Sequence, residues 1–313
     1  MMRSDAVKIP GNYYFDPAVV PLALKKVRGS LLSHPHDYTG IPHWHDFTEL
    51  VIITGGHGRQ LINGTSYPVS AGDVFVITGR TTHCFEDHAR LEITNIMFDE
   101  RLLDGAREYL NRIPGYHVVF RFEPELRNSG RFHNMLRLSV QDLARVVRLA
   151  SAMEMELEGR FPGSEAAAAG KLLELTVFLS RALNNGSGGE VSGIAGLAAL
   201  FSALESSFQE QWTLRRMAKY CGMSVNTLLR KFRAAAHRSP LQHLTQLRLN
   251  AARHMLEAGE MTVSEIAFAC GFRDSNYFSK CFSKHFRAAP SSFRKSASTP
   301  DGGSPADRRS PRK

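Results

Sequence analysis

The chain has 313 residues, 43% of them hydrophobic and 22% charged, so it can bury more than one core and two or three domains are expected. No apolar run reaches the roughly 18 residues of a membrane helix, and Cys84, Cys221, Cys270 and Cys281 form no CxxC pair; membrane proteins are excluded, and a cytoplasmic chain with reduced thiols is expected. The net charge of +9 is unevenly placed: from Gln211 onward 19 Lys and Arg face 6 Asp and Glu, while the first 210 residues hold 20 against 24, which predicts a polyanion partner, nucleic acid, for the C-terminal part alone.

Residues 1–16 read as a polar N-terminal tail. Residues 17–125 read as a barrel domain, within which 41–98 carry β-branched runs separated by turn chemistry, the pattern of short antiparallel strands closing into a barrel or sandwich. Asn63-Gly64 is a two-residue hairpin signal, because both residues tolerate the positive φ of a type I′ turn, and Ala71-Gly72-Asp73 supplies the next turn. The segment "PHWHDFTEL" (42–50) spaces His43, His45 and Glu49 as HxHxxxE. In a strand, residues 43, 45, 47 and 49 share a face, so the two histidines and the glutamate are expected to point inward together.

From Phe132 the apolar spacing becomes helical. Leu136, Val140, Leu143, Val147 and Ala150 form a four-three stripe, a candidate homodimer seam, and a second helix over 164–183 carries Leu172, Leu175 and Leu179. Residues 126–183 therefore read as a helical linker and dimerisation segment. "NNGSGGE" (184–190) is a flexible linker and domain boundary, and 297–313 a disordered basic tail.

Residues 191–296 contain an internal echo. "AKYCGM" (218–223) and "AFACGF" (267–272) each end a short helix in Cys-Gly-hydrophobic, and each is followed by a second helix. Phe232 and Phe282 lie fifty apart, as do Pro240 and Pro290, so two helix-turn-helix units are predicted, joined by a helix over about 240–258. That helix would be roughly 28 Å long, close to one turn of B-DNA. The start of each second helix enters the major groove in such motifs, where Arg bonds guanine and Asn bonds adenine. The DNA-contacting candidates are Ser224, Val225, Asn226, Thr227, Arg230 and Lys231 in the first unit, and Arg273, Asp274, Ser275, Asn276, Tyr277 and Lys280 in the second.

Through about 85 residues, carried by "CGMS", "LRLNAARHML", "VSEIAFACGFRDSNYFSKCFSKHF" and "PSSFRK", the sequence resembles the AraC/XylS-type family of transcription regulators. One departure is Arg287, where that family usually has glycine. The segments "PHWHDFTELVII", "GRQLINGTSYPVSAGDVFVI" and "IPGYHVVFRFEPELR" resemble the rhamnose-responsive branch. The resemblance implies a cupin-like barrel with a helical extension, followed by an all-α DNA-binding domain of two helix-turn-helix units. It further implies double-stranded operator DNA as partner, RNA polymerase as a second partner if the protein activates, and no catalysis. His83 sits where cupin barrels place a third histidine, so His43, His45, Glu49 and His83 resemble a three-His, one-Glu metal set. The reading adopted is that these four, with Arg59 and Tyr67 near the barrel mouth, contact a small polar inducer, a sugar. No cofactor is required. A divalent metal at the same four residues, making the barrel a metal-dependent cupin sensor or enzyme fused to a DNA-binding module, and histidines that serve only the core, are the alternatives.

Overall fold

The structure, a computed structural model, describes residues 6–15, 19–28, 40–79, 81–87, 90–122, 136–159, 161–183 and 191–297. Packing divides the chain into two compact units, Met1–Glu205 with Met217–His237, and Ser206–Arg216 with Arg238–Lys313.

The first unit opens with ten strands: β1 (Val7–Ile9), β2 (Leu22–Arg28), β3 (His43–His45), β4 (Thr48–Gly55), β5 (His57–Ile62), β6 (Thr65–Ser70), β7 (Asp73–Ile77), β8 (His83–Glu86), β9 (Glu92–Phe98) and β10 (Leu136–Arg137). They form two five-stranded sheets, in the orders β1-β3-β8-β5-β6 and β10-β7-β4-β9-β2. The predicted turns are present. Asn63 and Gly64 adopt φ of 47° and 82° between β5 and β6, and Gly72 at 93° leads into β7. Alternate residues of both sheets meet in one core, with Val51, Ile53, Phe75, Ile77 and Ile93 facing Val69 and Phe85. Each such burial contributes about 1.5–3 kcal/mol relative to exposure.

Three expectations require correction. Residues 7–15 are not a tail: Val7–Ile9 pairs in parallel with His43–His45, Ile9 is buried, and Tyr14 and Phe15 pack edge-on to Phe47. An apolar residue every second position is enough for a short edge strand when a partner strand is waiting. The span 17–125 is not all strand, because residues 100–122 turn helical. A 3-10 helix (Glu100–Ala106) leads into α1 (Arg107–Asn111), α2 (Pro114–His117) and a π turn over Val118–Phe122. Leu136 is not helical but pairs with Val74 at the sheet edge, and the helix starts at Val140.

Helix α3 (Val140–Gly159) and α4 (Ser164–Ala182) form an antiparallel pair. The α3 face that is buried carries Val146, Ala150 and Met153, so the anticipated stripe does not form one seam; Val140 and Val147 are exposed. Lys26 of β2 donates to Ser151 and pairs with Glu154, fixing α3 to the outer face of its sheet. Helix α2 lies tight on α4, where a Cβ on Gly115 would come within 1.8 Å of the Ser180 carbonyl oxygen.

Helix α5 (Val191–Ser206), α6 (Leu214–Tyr220) and α7 (Val225–Ala236) follow. By packing, α5 up to Glu205 and residues 217–237 of the first helix-turn-helix group with the sheets; the expected linker 184–190 lies outside the described residues, as does the tail 298–313. The reason is in α5 itself. Leu197, Ala198, Leu200, Phe201 and Leu204 are all buried, so the helix has apolar surface to share with two neighbours.

The second unit is built on α8 (Pro240–Ala258), which carries a capping box at Ser239, followed by α9 (Val263–Ala269), α10 (Ser275–Phe286) and α11 (Pro290–Ala297). Its core joins Leu249, Ala252 and Leu256 to Ile266, Ala267, Phe278 and Phe282. Arg287 takes the left-handed φ of 57° at the end of α10, as His237 does at 53° after α7, so both non-glycine residues occupy the C-cap position favoured by glycine.

Candidate functional site

Two sets of side chains carry chemistry. The first lies between the sheets. Strand β3 ends at His45, the chain crosses to the other sheet at Asp46–Phe47, and β4 begins at Thr48. His43, His45 and Glu49 thus meet from opposing sheets, not along one strand. His83 joins them because it stands directly opposite His43 in the β3–β8 pair. All four are buried.

Each imidazole is oriented by its Nδ1. Those of His43, His45 and His83 lie 2.8, 2.9 and 3.0 Å from the carbonyl oxygens of Ile41, Phe47 and Thr81. A carbonyl only accepts, so each Nδ1 carries the hydrogen and each Nε2 turns toward its other neighbour. For His45 and His83 that neighbour is one atom, Glu49 Oε2, at 3.1 Å in both cases. The two Nε2 atoms can hold this carboxylate oxygen only through a proton or a cation between them. Burial pushes the Glu49 carboxyl up, but hydrogen bonds from His45 and His83 outweigh it and hold the group below the usual carboxylate range. Burial, reinforced by His83, lowers His43 to about 3, so its ring is neutral and its Nε2 keeps a lone pair. Ligand atoms of His43, Glu49 and His83 lie within 4.8 Å of one another, and histidines braced through Nδ1 are the usual form of metal-ligating imidazole. The residues present therefore fit a divalent cation, with His43, His83 and Glu49 to hold it and His45 bracing the carboxylate.

The other anticipated barrel residues divide. Tyr67 is buried on the inner face, level with Gln60 and Phe85 and two positions along from the row holding His83. Arg59 does not join them: Gln60 and Ile62 face inward, so Arg59 faces out, where it donates to Ser66 Oγ at 2.9 Å. Sequence reasoning missed two inner-face amides. Gln60 is fully buried, and Asn95 stands beside the core residue Val51, with its Oδ1 buried and given no hydrogen-bond partner among the described residues. A polar residue at an inward position of an alternating strand was the available signal.

The second set lies on the two helix-turn-helix units. In the first, Ser224 caps α7 by accepting from Thr227 N, and Asn226 and Arg230 are exposed; Val225, Thr227 and Lys231 are half-buried. Asn226, Arg230 and Arg233 follow one another at steps of four and three and line a shallow groove of about 470 Å³. Arg233 was not among the expected residues, although its spacing from Arg230 marks it. In the second unit Asp274 caps α10 by accepting from Tyr277 N at 2.6 Å; Arg273, Asn276, Tyr277 and Lys280 are exposed and Ser275 half-buried. Ser224 and Asp274 thus spend side-chain oxygens on holding their helix starts. The exposed Arg, Asn and Lys are donors free to meet phosphate and base edges.

A family model described as an AraC-like ligand binding domain matches residues 27–162, and one described as a helix-turn-helix domain matches 217–296. The HTH-type transcriptional activator RhaS of Escherichia fergusonii is 30% identical over 252 residues, covering 80% of this chain and 86% of that protein. RhaS of Enterobacter sp. is 28% identical over 260 residues, with the same coverage. Among solved structures, the DNA-binding domain of AdpA in complex with a target DNA is 31% identical, covers 32% of this chain and 91% of that one, and has a TM-score of 0.31.

Proposed function

The chain belongs to the AraC family of transcription regulators, with a ligand-binding domain and a DNA-binding helix-turn-helix domain, and from that premise we propose that a sugar bound between the two sheets controls its action on an operator. The observation that carries this reading is the meeting of His43, His45, Glu49 and His83 from opposing sheets, each ring fixed through Nδ1. Hydroxyl groups both donate and accept, and an ionised carboxylate beside imidazole nitrogens meets both needs. Asn95 Oδ1 adds a buried acceptor with no hydrogen-bond partner among the described residues. Tyr67 and Gln60 line the same inner face.

The operator is double-stranded DNA read by Asn226, Arg230, Asn276 and Lys280, with RNA polymerase as partner in activation. The chain works in the cytoplasm; no helix of the described residues is long and apolar enough to cross a membrane. The relatives it matches are regulators, and no reaction is assigned. A homodimer would use α3, which leaves Val140, Val147 and Met155 exposed.

A second reading of the same site is a divalent cation held by His43, Glu49 and His83, favoured by the three braced Nδ1 atoms. Such a cation would polarise a bound hydroxyl, while His45 would keep Glu49 in place. Thermal melting of the full chain with a panel of sugars, L-rhamnose included, with and without added zinc or manganese, separates the two. A ligand specific to the folded state at a hundred times its Kd raises stability by about 2.7 kcal/mol. A sugar-dependent rise abolished by His43→Ala with His83→Ala supports the effector reading, and a rise with metal alone supports the second. If the double variant responds to every sugar and metal as the wild type does, the site is elsewhere.

A further inference from the structure

Helix α5 has two different neighbours within its unit. Toward the first helix-turn-helix, the Phe201 ring stacks on Phe232 of α7 with centroids 4.3 Å apart and planes 11° from parallel. Phe232 occupies the buried face of α7, opposite the groove formed by Asn226, Arg230 and Arg233. Nearby, Cys221 Sγ donates to the Gly196 carbonyl at 3.3 Å, and a Cβ on Gly196 would come within 2.9 Å of the Cys221 oxygen. No larger residue would permit so close an approach.

Toward the sensor, the same Phe201 ring meets Phe122 edge-on at 5.0 Å and His117 at 5.3 Å. His117 Nε2 donates to the Asn111 carbonyl at 2.7 Å, and Asn111 Nδ2 donates to Glu205 Oε1 at 3.1 Å, one turn along α5 from Phe201. His117 and Phe201 are both buried, as is Asn111. One ring is thus clamped between the helical extension of the sensor and the back of a DNA-reading helix. Close-packed interiors of this kind pass a displacement on instead of absorbing it.

We infer that α5 is the coupling element between sensor and first reader, and that Phe201 is the positioning residue through which a change at α1, α2 or the π turn alters how α7 presents Asn226, Arg230 and Arg233. The second reader falls in the other compact unit, and the inference is confined to the first. The inference concerns transmission and holds whichever ligand the barrel takes.

The test needs no effector. The full chain is titrated against a duplex that the wild type itself selects from a random library, and hydroxyl-radical footprints separate the part of the site read by each unit. Asn111→Ala, made in the sensor, is expected to change affinity by roughly fivefold or more, with the loss or gain of protection confined to the segment read by α7. In a Phe201→Leu background the same Asn111→Ala change is expected to have no further effect, because the route has been cut. Should Phe201→Leu fail to melt cooperatively, Phe201→Met fills the volume and serves in its place. An Asn111→Ala protein that folds and binds as the wild type does overturns the inference. So does an Asn111→Ala effect that persists in full without the Phe201 ring, or one spread equally over both parts of the footprint.

Discussion

The two helix-turn-helix units are copies in sequence and differ in what completes their cores. Both place a left-handed glycine in the turn, Gly222 at 63° and Gly271 at 84°, and both cap the second helix with a short oxygen side chain. The second copy is closed by its own surroundings, Phe282 packing among Phe278, Phe286 and Phe293 beneath α8. The first borrows Phe201 from α5, and through it shares a core with the sensor. A motif can be duplicated residue for residue while its stability is supplied from different places, and that decides which copy a signal can reach.

The largest effect should come from the matched truncations Phe282→Ala and Phe232→Ala, each expected to lose about 3–5 kcal/mol. Native-state hydrogen exchange should show the first confined to α8–α11. The second should also lower protection in β4. If β4 amides exchange as in the wild type after Phe232→Ala, the first copy does not share the sensor's cooperative unit.

Alanine at the turn glycines tests the same contrast by sterics. At Gly222 nothing lies within 4 Å of a new Cβ, so the cost is that of a left-handed alanine, about 1–2 kcal/mol. At Gly271 the Cβ would come within 2.4 Å of the Gln209 carbonyl oxygen, and the loss should exceed about 3 kcal/mol. Equal costs in denaturant melts would mean that the chain around Gln209 gives way.

Within the first copy, Arg230→Ala should relax the preference at one base pair by about 1–3 kcal/mol, whereas Arg233→Ala should weaken all sequences alike and lower the salt slope by about one. Competition binding on single-substituted duplexes at two salt concentrations reads both. The smallest effect is expected at Glu205, where burial pushes the carboxyl up. Glu205→Gln keeps an acceptor for Asn111 and removes the disfavoured charge, so melting should rise by roughly one or two degrees at pH 7. A raised carboxyl pKa means that the cost of the charge is present above it, so the difference should close as pH falls and Glu205 takes up its proton. A gap that widens toward acid would show that Arg121 and Arg112 outweigh burial.

Much of this was legible from local chemistry. Pro240 and the glycine after Ala258 bound α8 where the sequence placed it, and the capping box at Thr262 and the Asn63-Gly64 turn are satisfied within three residues. The histidine set was legible as a set of residue types, but not as a geometry. Period-two reasoning treats 43–49 as one strand, while the chain changes sheets at Asp46, whose carboxylate takes Gly11 N and Lys8, groups no local pattern connects to it. Arg59 went to the wrong face because a strand's phase is set by its partners, here the pairing of Ile62 with His83. The split of the helix-turn-helix units between two cores was not legible at all. Apolar spacing shows that α5 buries two faces; it does not show against what.

The parallel pairing of Val7–Ile9 with His43–His45 has a practical side. It caps an edge: among the described strands, removal of β1 would leave the histidine strand with a free row of amides and carbonyls, the template on which sheets from different molecules join. A protein trimmed of its first ten residues should be prone to aggregate through the very strand that forms its sensor, and a bulky purification tag fused directly before Val7 would crowd the same edge.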